Sequence, residues 1–258
     1  MSDLAGRKVL VVGAGTQASA DPDAPVGNGR AIAIVAGRAG ATVTCADLDA
    51  DAARVTADLV EAEGATAHVL MADVADPEAC AGLVEAAAAA MDGLDGLVCN
   101  VGIGAGMGMQ GTTPEQWDQV FSVNVRSHFL LASAALRVMP EGGSIVFISS
   151  VAGLTAGSRI PAYDASKAAL TGLCRQVAAE GARKGVRANV VAPGLIDTVL
   201  GRLATAGRPS RAKAPVPLGR QGSAWEIAEP VVFLLSDRAS YITSQLLAVD
   251  GGLTGARG

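Results

Sequence analysis

Short aliphatic, β-branched runs alternate along this chain with longer Ala-rich stretches of helical period. Lys8 to Val12 is the first such run and ends at a glycine, and Arg30 to Arg38 is the first helical stretch, with a Gly-bearing loop between them. The same reading predicts a second strand over Thr42–Ala46, a helix over Ala50–Glu63, a strand over Ala67–Met71, a helix over Pro77–Met91 and a fourth strand over Gly96–Cys99. Thr113-Pro-Glu-Gln116 marks a helix start, with Thr113 as N-cap, Pro114 at the first helical position and Gln116 completing a capping box. That helix is expected to carry Asn124. A strand follows over Gly143–Ser150, then a helix from about Pro161 and a strand over Val186–Ala192. Ser223 to Glu226 forms a second capping box, opening a helix to Leu235, before a last strand over Gln245–Val249. Two stretches, Thr16–Val26 and Thr198–Arg220, follow neither period and are expected to be irregular.

Strands separated by helices require crossovers, and right-handed crossovers yield a parallel sheet covered on both faces. The fold class is therefore α/β, a Rossmann-type doubly wound sheet. A length of 258 residues permits one large domain or two small ones. No repeat, linker or low-complexity segment divides the chain, so a single domain over residues 1–258 is expected. Half the residues are hydrophobic but only 3% aromatic, so the core must rely on closely approaching helices and aliphatic strands.

A net charge of −5 leaves no basic footprint for nucleic acid. The N-terminal residues run straight into a strand with no signal-peptide core, and no apolar span reaches membrane length. Cys45, Cys80, Cys99 and Cys174 lack metal-ligand spacing, and only His68 and His128 could join them. Reduced core thiols and a cytoplasmic location are expected.

Candidate chemistry centres on Tyr163 and Lys167, which share one helix face at i and i+4. A neighbouring Lys⁺ favours the phenolate, which equips Tyr163 to exchange protons near neutral pH. The same spacing also describes a packed ring beside a solvated charge. Ser150 closes the run Gly143–Ser150 and lies thirteen residues before Tyr163, a spacing that selects it over the adjacent Ser149. With Asn124 upstream, these residues resemble the catalytic tetrad of the short-chain dehydrogenases/reductases. The resemblance extends along almost the whole chain through the Gly-rich first turn, Asn100-Val-Gly102, Pro193-Gly194 and Val249-Asp-Gly-Gly252.

The resemblance implies that Tyr163 passes the proton and Ser150 holds the substrate oxygen. Lys167 would bind the nicotinamide ribose, and Asn124 a water linking Lys167 to solvent. Bland alternatives stand beside these roles: Ser150 as a strand-end cap, Asn124 as a helix-bending polar residue, Lys167 as a surface charge. His128, one turn after Asn124, invites a proton-transfer reading but is expected to be a packed or interface histidine, and Met107 and Met109 read as pocket lining or loop filler.

A dinucleotide diphosphate needs backbone N–H groups at a helix N-terminus and glycines where a Cβ would block its approach. Gly13, Gly27 and Gly29 supply these positions, but thirteen residues separate Gly13 from Gly27 where the family has three, and Val12 replaces the family's threonine. An insertion of about ten residues is inferred, either a surface loop, a flap over the diphosphate or a subunit contact. Asp47 lies eighteen residues after Gly29, where a carboxylate accepts from adenosine-ribose hydroxyls and repels a 2′-phosphate, so NAD is expected over NADP. Asp49 reads as a helix N-cap. By resemblance Asp73 and Val74 flank the adenine, while Asn100 and Gly102 stand in the family's Asn-Asn-Ala-Gly with Cys99 and Val101 as substitutions. The resemblance also implies that Pro193 and Gly194 bind the cofactor and that, after them, Ile196 and Thr198 hold the nicotinamide carboxamide.

The expected activity is hydride transfer between NAD(H) and a small-molecule secondary alcohol or ketone. A 3-oxoacyl thioester reductase is the alternative within enzymes, and a non-catalytic nucleotide-binding regulator the alternative outside them. A homotetramer is implied by resemblance. The lid, about residues 198–220, carries Arg202, Arg208, Arg211, Lys213 and Arg220, which either steer an anionic substrate or meet acidic partners elsewhere.

Overall fold

The computed structural model describes residues 3–21, 23–205 and 216–255. Seven parallel strands form one sheet in the order β3-β2-β1-β4-β5-β6-β9. They are β1 (Lys8–Val12), β2 (Thr42–Asp47), β3 (Ala67–Met71), β4 (Gly96–Cys99), β5 (Ser144–Ile148), β6 (Arg187–Pro193) and β9 (Leu246–Val249). Two further short strands, β7 (Ile196–Asp197) and β8 (Gly222–Ser223), pair with each other in parallel at the foot of the lid.

Near-continuous apolar runs are what a parallel strand buried on both faces requires, and their side chains divide by the period of two. Val9, Val11, Val98, Val146 and Ile148 point to one core, with Ala31–Ala36 of helix α1 (Asn28–Arg38) and Ile227–Leu235 of helix α8 (Ala224–Leu235). Leu10, Val12, Leu97, Cys99, Ile145 and Phe147 point to the other. There they meet α3 (Pro77–Met91), α5 (Ser127–Val138) and α6 (Pro161–Gly181). Alanines on α1, α3 and α5 let those helices approach the sheet closely. Helix α2 (Ala50–Ala62) adds Ala57 and Val60 to the first core.

Both capping boxes form, Thr113 with Gln116 at the start of α4 (Pro114–Phe121) and Ser223 with Glu226 at the start of α8. Asp49 caps α2 by accepting from the N–H groups of Asp51 and Ala52. The long helix carrying Asn124 is not uniform. Its middle, Ser122–Arg126, is a π-helical turn joining α4 to α5, a device that lets a side chain leave the regular helical face.

The expected irregularity of Thr198–Arg220 needs correction, because Val199–Thr205 is a helix, α7. Thr198 caps it, its Oγ1 accepting from Gly201 N at 3.0 Å. Arg208, Arg211 and Lys213 lie outside the described residues. Of the other lid cations, Arg202 pairs with Asp197 and Asp21, and Arg220 with Glu226, so these two are neutralised by neighbours. All four cysteines are free and buried. Burial pushes the thiols up, to about 12 for Cys45 and Cys174 and about 11 for Cys80. Among the described residues no helix is long and apolar enough to cross a membrane, and no cluster of His, Cys, Asp and Glu is arranged to hold a metal.

Candidate active site

A cavity of about 830 Å³ opens at the C-terminal ends of the strands, over the point where β1 has β2 on one side and β4 on the other. In doubly wound sheets this reversal of strand order is where ligands bind. Fifteen of the sixteen residues singled out from the sequence line it: Gly13, Gly27, Gly29, Asp47, Asp73, Val74, Asn100, Gly102, Ser150, Tyr163, Lys167, Pro193, Gly194, Ile196 and Thr198. Asn124 does not, and stands fully buried behind the wall.

At the end of the cavity beside β1, Gly13 has φ +82°, and a Cβ on Gly29 would lie 1.8 Å from the Gly13 carbonyl oxygen. Only glycine allows α1 to start this close to the end of β1. Asn100 Nδ2 donates to the Gly13 carbonyl at 2.8 Å and so ties β4 to the turn. Thr56, unremarked in the sequence, supports the same turn from α2, its Oγ1 donating to Ala14 O at 2.9 Å. The turn's shape is a cradle that a Cβ would fill, and it suits a diphosphate at the N-terminus of α1.

The Asp47 carboxylate accepts from Gly15 N at 2.8 Å and from Asp49 N at 3.2 Å, which fixes it at the cavity edge. Arg30, whose field reaches Asp47, directs Nε to Thr56 Oγ1 and Nη2 to Ala52 O. Asp73 accepts from Ala75 N at 2.9 Å, and Val74 is buried beside it.

At the other end, Lys167 is 3% exposed, which excludes the surface-charge alternative. Its Nζ donates to Ile148 O at 2.9 Å and sits 5.7 Å from the centroid of the Tyr163 ring. Burial pushes the Lys167 ammonium down to about 8. Gly102 makes room for it, since a Cβ there would come within 2.9 Å of Nζ. Ser149 donates to Lys167 O at 2.7 Å and is held by the backbone of α6. Ser150 does cap the short turn Val151–Gly153, accepting from Ala152 N at 3.2 Å, but that contact uses a lone pair and leaves its O–H for a ligand.

Asn124, aimed inward by the π-helical turn, braces the cavity wall. Its Oδ1 accepts from Ile103 N at 2.8 Å, and its Nδ2 donates to Ile103 O and Ser166 Oγ, both at 2.9 Å. Ser166 in turn donates to Tyr163 O at 2.8 Å. Ser166 escaped the sequence reading, although a polar residue three positions after Tyr163 faces the same neighbours. His128 is fully buried against Phe147, and burial pushes its imidazole down to about 3, so it is a packed neutral ring. Met107 and Met109 do not line the cavity and are exposed. Ser158, Ile160, Leu195 and Leu200 line it in their place.

Residues 25–254 match the profile of a family described as Enoyl-(Acyl carrier protein) reductase, the match beginning just short of Gly27. The chain is 39% identical over 236 residues to 2-(S)-hydroxypropyl-CoM dehydrogenase 3 of Xanthobacter autotrophicus, covering 88% of this chain and 92% of that one. It is 36% identical over 229 residues to the 3-oxoacyl-[acyl-carrier-protein] reductase of Escherichia coli, covering 88% and 93%. Among solved structures, a putative short-chain dehydrogenase/reductase from Burkholderia xenovorans superposes with a TM-score of 0.91 at 32% identity, over 99% of both chains. Agreement in sequence and fold over nearly the full length makes this chain a member of the short-chain dehydrogenase/reductase family, a nicotinamide-dependent oxidoreductase acting on CH–OH groups.

Proposed function

We propose that the protein interconverts a secondary alcohol and its ketone with NAD(H), Tyr163 serving as general acid and base. The observation that carries this reading is the buried Lys167 ammonium beside the Tyr163 ring, inside the cavity that holds Ser150. A positive charge there favours the phenolate, so Tyr163 can take the carbinol proton or return it. Ser150 donates its O–H to the substrate oxygen and stabilises charge that develops on it. What the nicotinamide supplies when bound is the hydride acceptor or donor for the carbinol carbon. Gly13, Gly27 and Gly29 hold the diphosphate, Asp73 and Val74 the adenine, Asn100 and Gly102 the adjoining wall. Lys167 binds the nicotinamide ribose, and Pro193, Gly194, Ile196 and Thr198 orient the carboxamide. Asn124 carries, by resemblance, the water that connects Lys167 to solvent.

Tyr163→Phe keeps the ring and removes the transferable proton. Turnover on a panel of secondary alcohols is expected to fall by about 10²–10⁴-fold, with the dissociation constant for NADH nearly unchanged. A variant retaining most of the wild-type rate would exclude Tyr163 as the acid–base.

Preference for NAD over NADP rests on the Asp47 carboxylate, held at the ribose edge by Gly15 N and Asp49 N. A 2′-phosphate would add about two negative charges against it. A homologous fold from Agrobacterium tumefaciens, a putative 2-deoxy-d-gluconate 3-dehydrogenase, has NADP bound, so the family fold itself does not decide the cofactor. Asp47→Ala is expected to weaken NAD and strengthen NADP binding, measured as the two dissociation constants. Equal wild-type affinities would overturn the charge argument.

The thioester-reductase alternative draws on the Escherichia coli relative, and the substrate panel separates it by including a 3-oxoacyl thioester. A relative 42% identical is named an inactive 2-(S)-hydroxypropyl-CoM dehydrogenase 2; against a non-catalytic role here stand Ser150, Tyr163 and Lys167, all present and lining one cavity. A cytoplasmic location and a homotetramer complete the reading, the former supported by four free buried thiols.

A further inference from the structure

The inserted segment 16–26 begins and ends at the phosphate turn. Thr16 Oγ1 accepts from Gly27 N at 3.0 Å, and Gly27 is the N-cap of α1, so the loop is pinched shut at its base beside the helix N-terminus. Beyond the pinch, Thr16, Gln17 and Ala18 form part of the cavity wall. Val199, Leu200, Gly201 and Thr205 of α7 form another part of it. The two walls are joined by an ion pair, Arg202 Nη1 to Asp21 Oδ2 at 3.2 Å. Each partner is held from behind. Arg202 is gripped in bidentate fashion by Asp197, with Nε to Oδ1 at 2.7 Å and Nη2 to Oδ2 at 3.0 Å. Asp21 accepts from Asp23 N through its other oxygen and donates its own N–H to Ser19 Oγ. The contact thus links two segments that both line the cavity, through side chains that lie outside the lining itself.

We propose that residues 16–21 and α7 form a two-sided cover over the diphosphate of the nicotinamide dinucleotide, fastened by the Asp21–Arg202 ion pair, and that opening this fastening gates cofactor release. The proposal rests on the dinucleotide occupying the cavity as described above. A short phosphate turn of the usual family length has no residues to reach α7, so the cover belongs to the insertion. Both partners are about half exposed, 49% for Arg202 and 48% for Asp21. A pair so exposed contributes little and is screened by salt, which makes it a fastening that opens readily.

The test is the rate of NADH release followed by stopped-flow fluorescence, repeated with NADPH, at low and high ionic strength. Asp21→Asn removes the charge and keeps the oxygen that accepts from Asp23; it is expected to speed release roughly two- to fivefold at low salt. Asp21→Lys should speed it further by repelling Arg202; the salt dependence of the wild-type rate should shrink in Asp21→Asn and reverse in Asp21→Lys, where salt screens the repulsion. Asp237→Asn, at a remote pair with Arg7, should leave release unchanged. Release rates equal to wild type in both Asp21 variants overturn the cover. So does a change in sedimentation with unchanged release, which would make the segment a subunit contact. If the wild-type protein binds neither dinucleotide, the cofactor reading fails and the cover with it.

Discussion

Lys167 shows how a side chain that is costly to the fold can stand in the wall of the cavity. Its ammonium is buried with Ile148 O as its backbone acceptor, and burial holds it down at about 8 against an ordinary 10.5. Between those two values the unfolded chain binds more protons at this residue than the folded one. The contribution of Lys167 to stability therefore rises with pH through that window and is least favourable below it. Comparing wild type with Lys167→Met by denaturant unfolding should show this as a difference with slope up to about 1.4 kcal/mol per pH unit. The buried cysteines titrate nearby with the opposite sign, which is why the difference between the two proteins is the measure. A pH-independent difference would mean that the ammonium is solvated in the native state. Residue types at fixed spacing made Ser150, Tyr163 and Lys167 legible from the sequence. Their environment was not legible, because burial of Lys167 depends on Gly102, on the loop after β4, and on Ile148, at the end of β5.

At the scale of elements, signals written within a few residues carried over, and those needing distant partners did not. Both capping boxes and the Asp49 cap could be read because the donor and acceptor lie within one turn. The π-helical turn at Ser122–Arg126 has no such local mark. It is held by what Asn124 reaches, Ile103 on a loop after β4 and Ser166 on α6. Helix α7 was missed for a related reason: its seven residues contain a glycine and too little apolar period to stand out, while its cap, Thr198, follows strand β7 directly and Arg202 is anchored by Asp197 at the end of that strand.

For the whole molecule, the expected homotetramer is measured by sedimentation equilibrium or light scattering over a range of concentrations. Trp117, Phe129 and Val138 of α4 and α5 are exposed apolar side chains that subunit contacts would cover. A mass of one chain at every concentration would overturn the tetramer. The order of the strands has a separate bearing on how the chain reaches this state. β1 is flanked by β2 and β4, so the half of the sheet from β3 to β4 can assemble from the first hundred residues, mostly through crossovers of modest length. β6 must wait for β9, whose residues arrive more than fifty positions later. Until then the fully buried strand from Arg187 to Pro193 presents an unpaired apolar edge, the kind of template on which chains join one another. On a ribosome that interval lasts seconds at roughly 5–20 residues per second, plus the passage of the last strand through the exit tunnel. The final strand is therefore the guard against misassembly, and loss of the last dozen residues would be felt first as aggregation during synthesis, before any loss of chemistry.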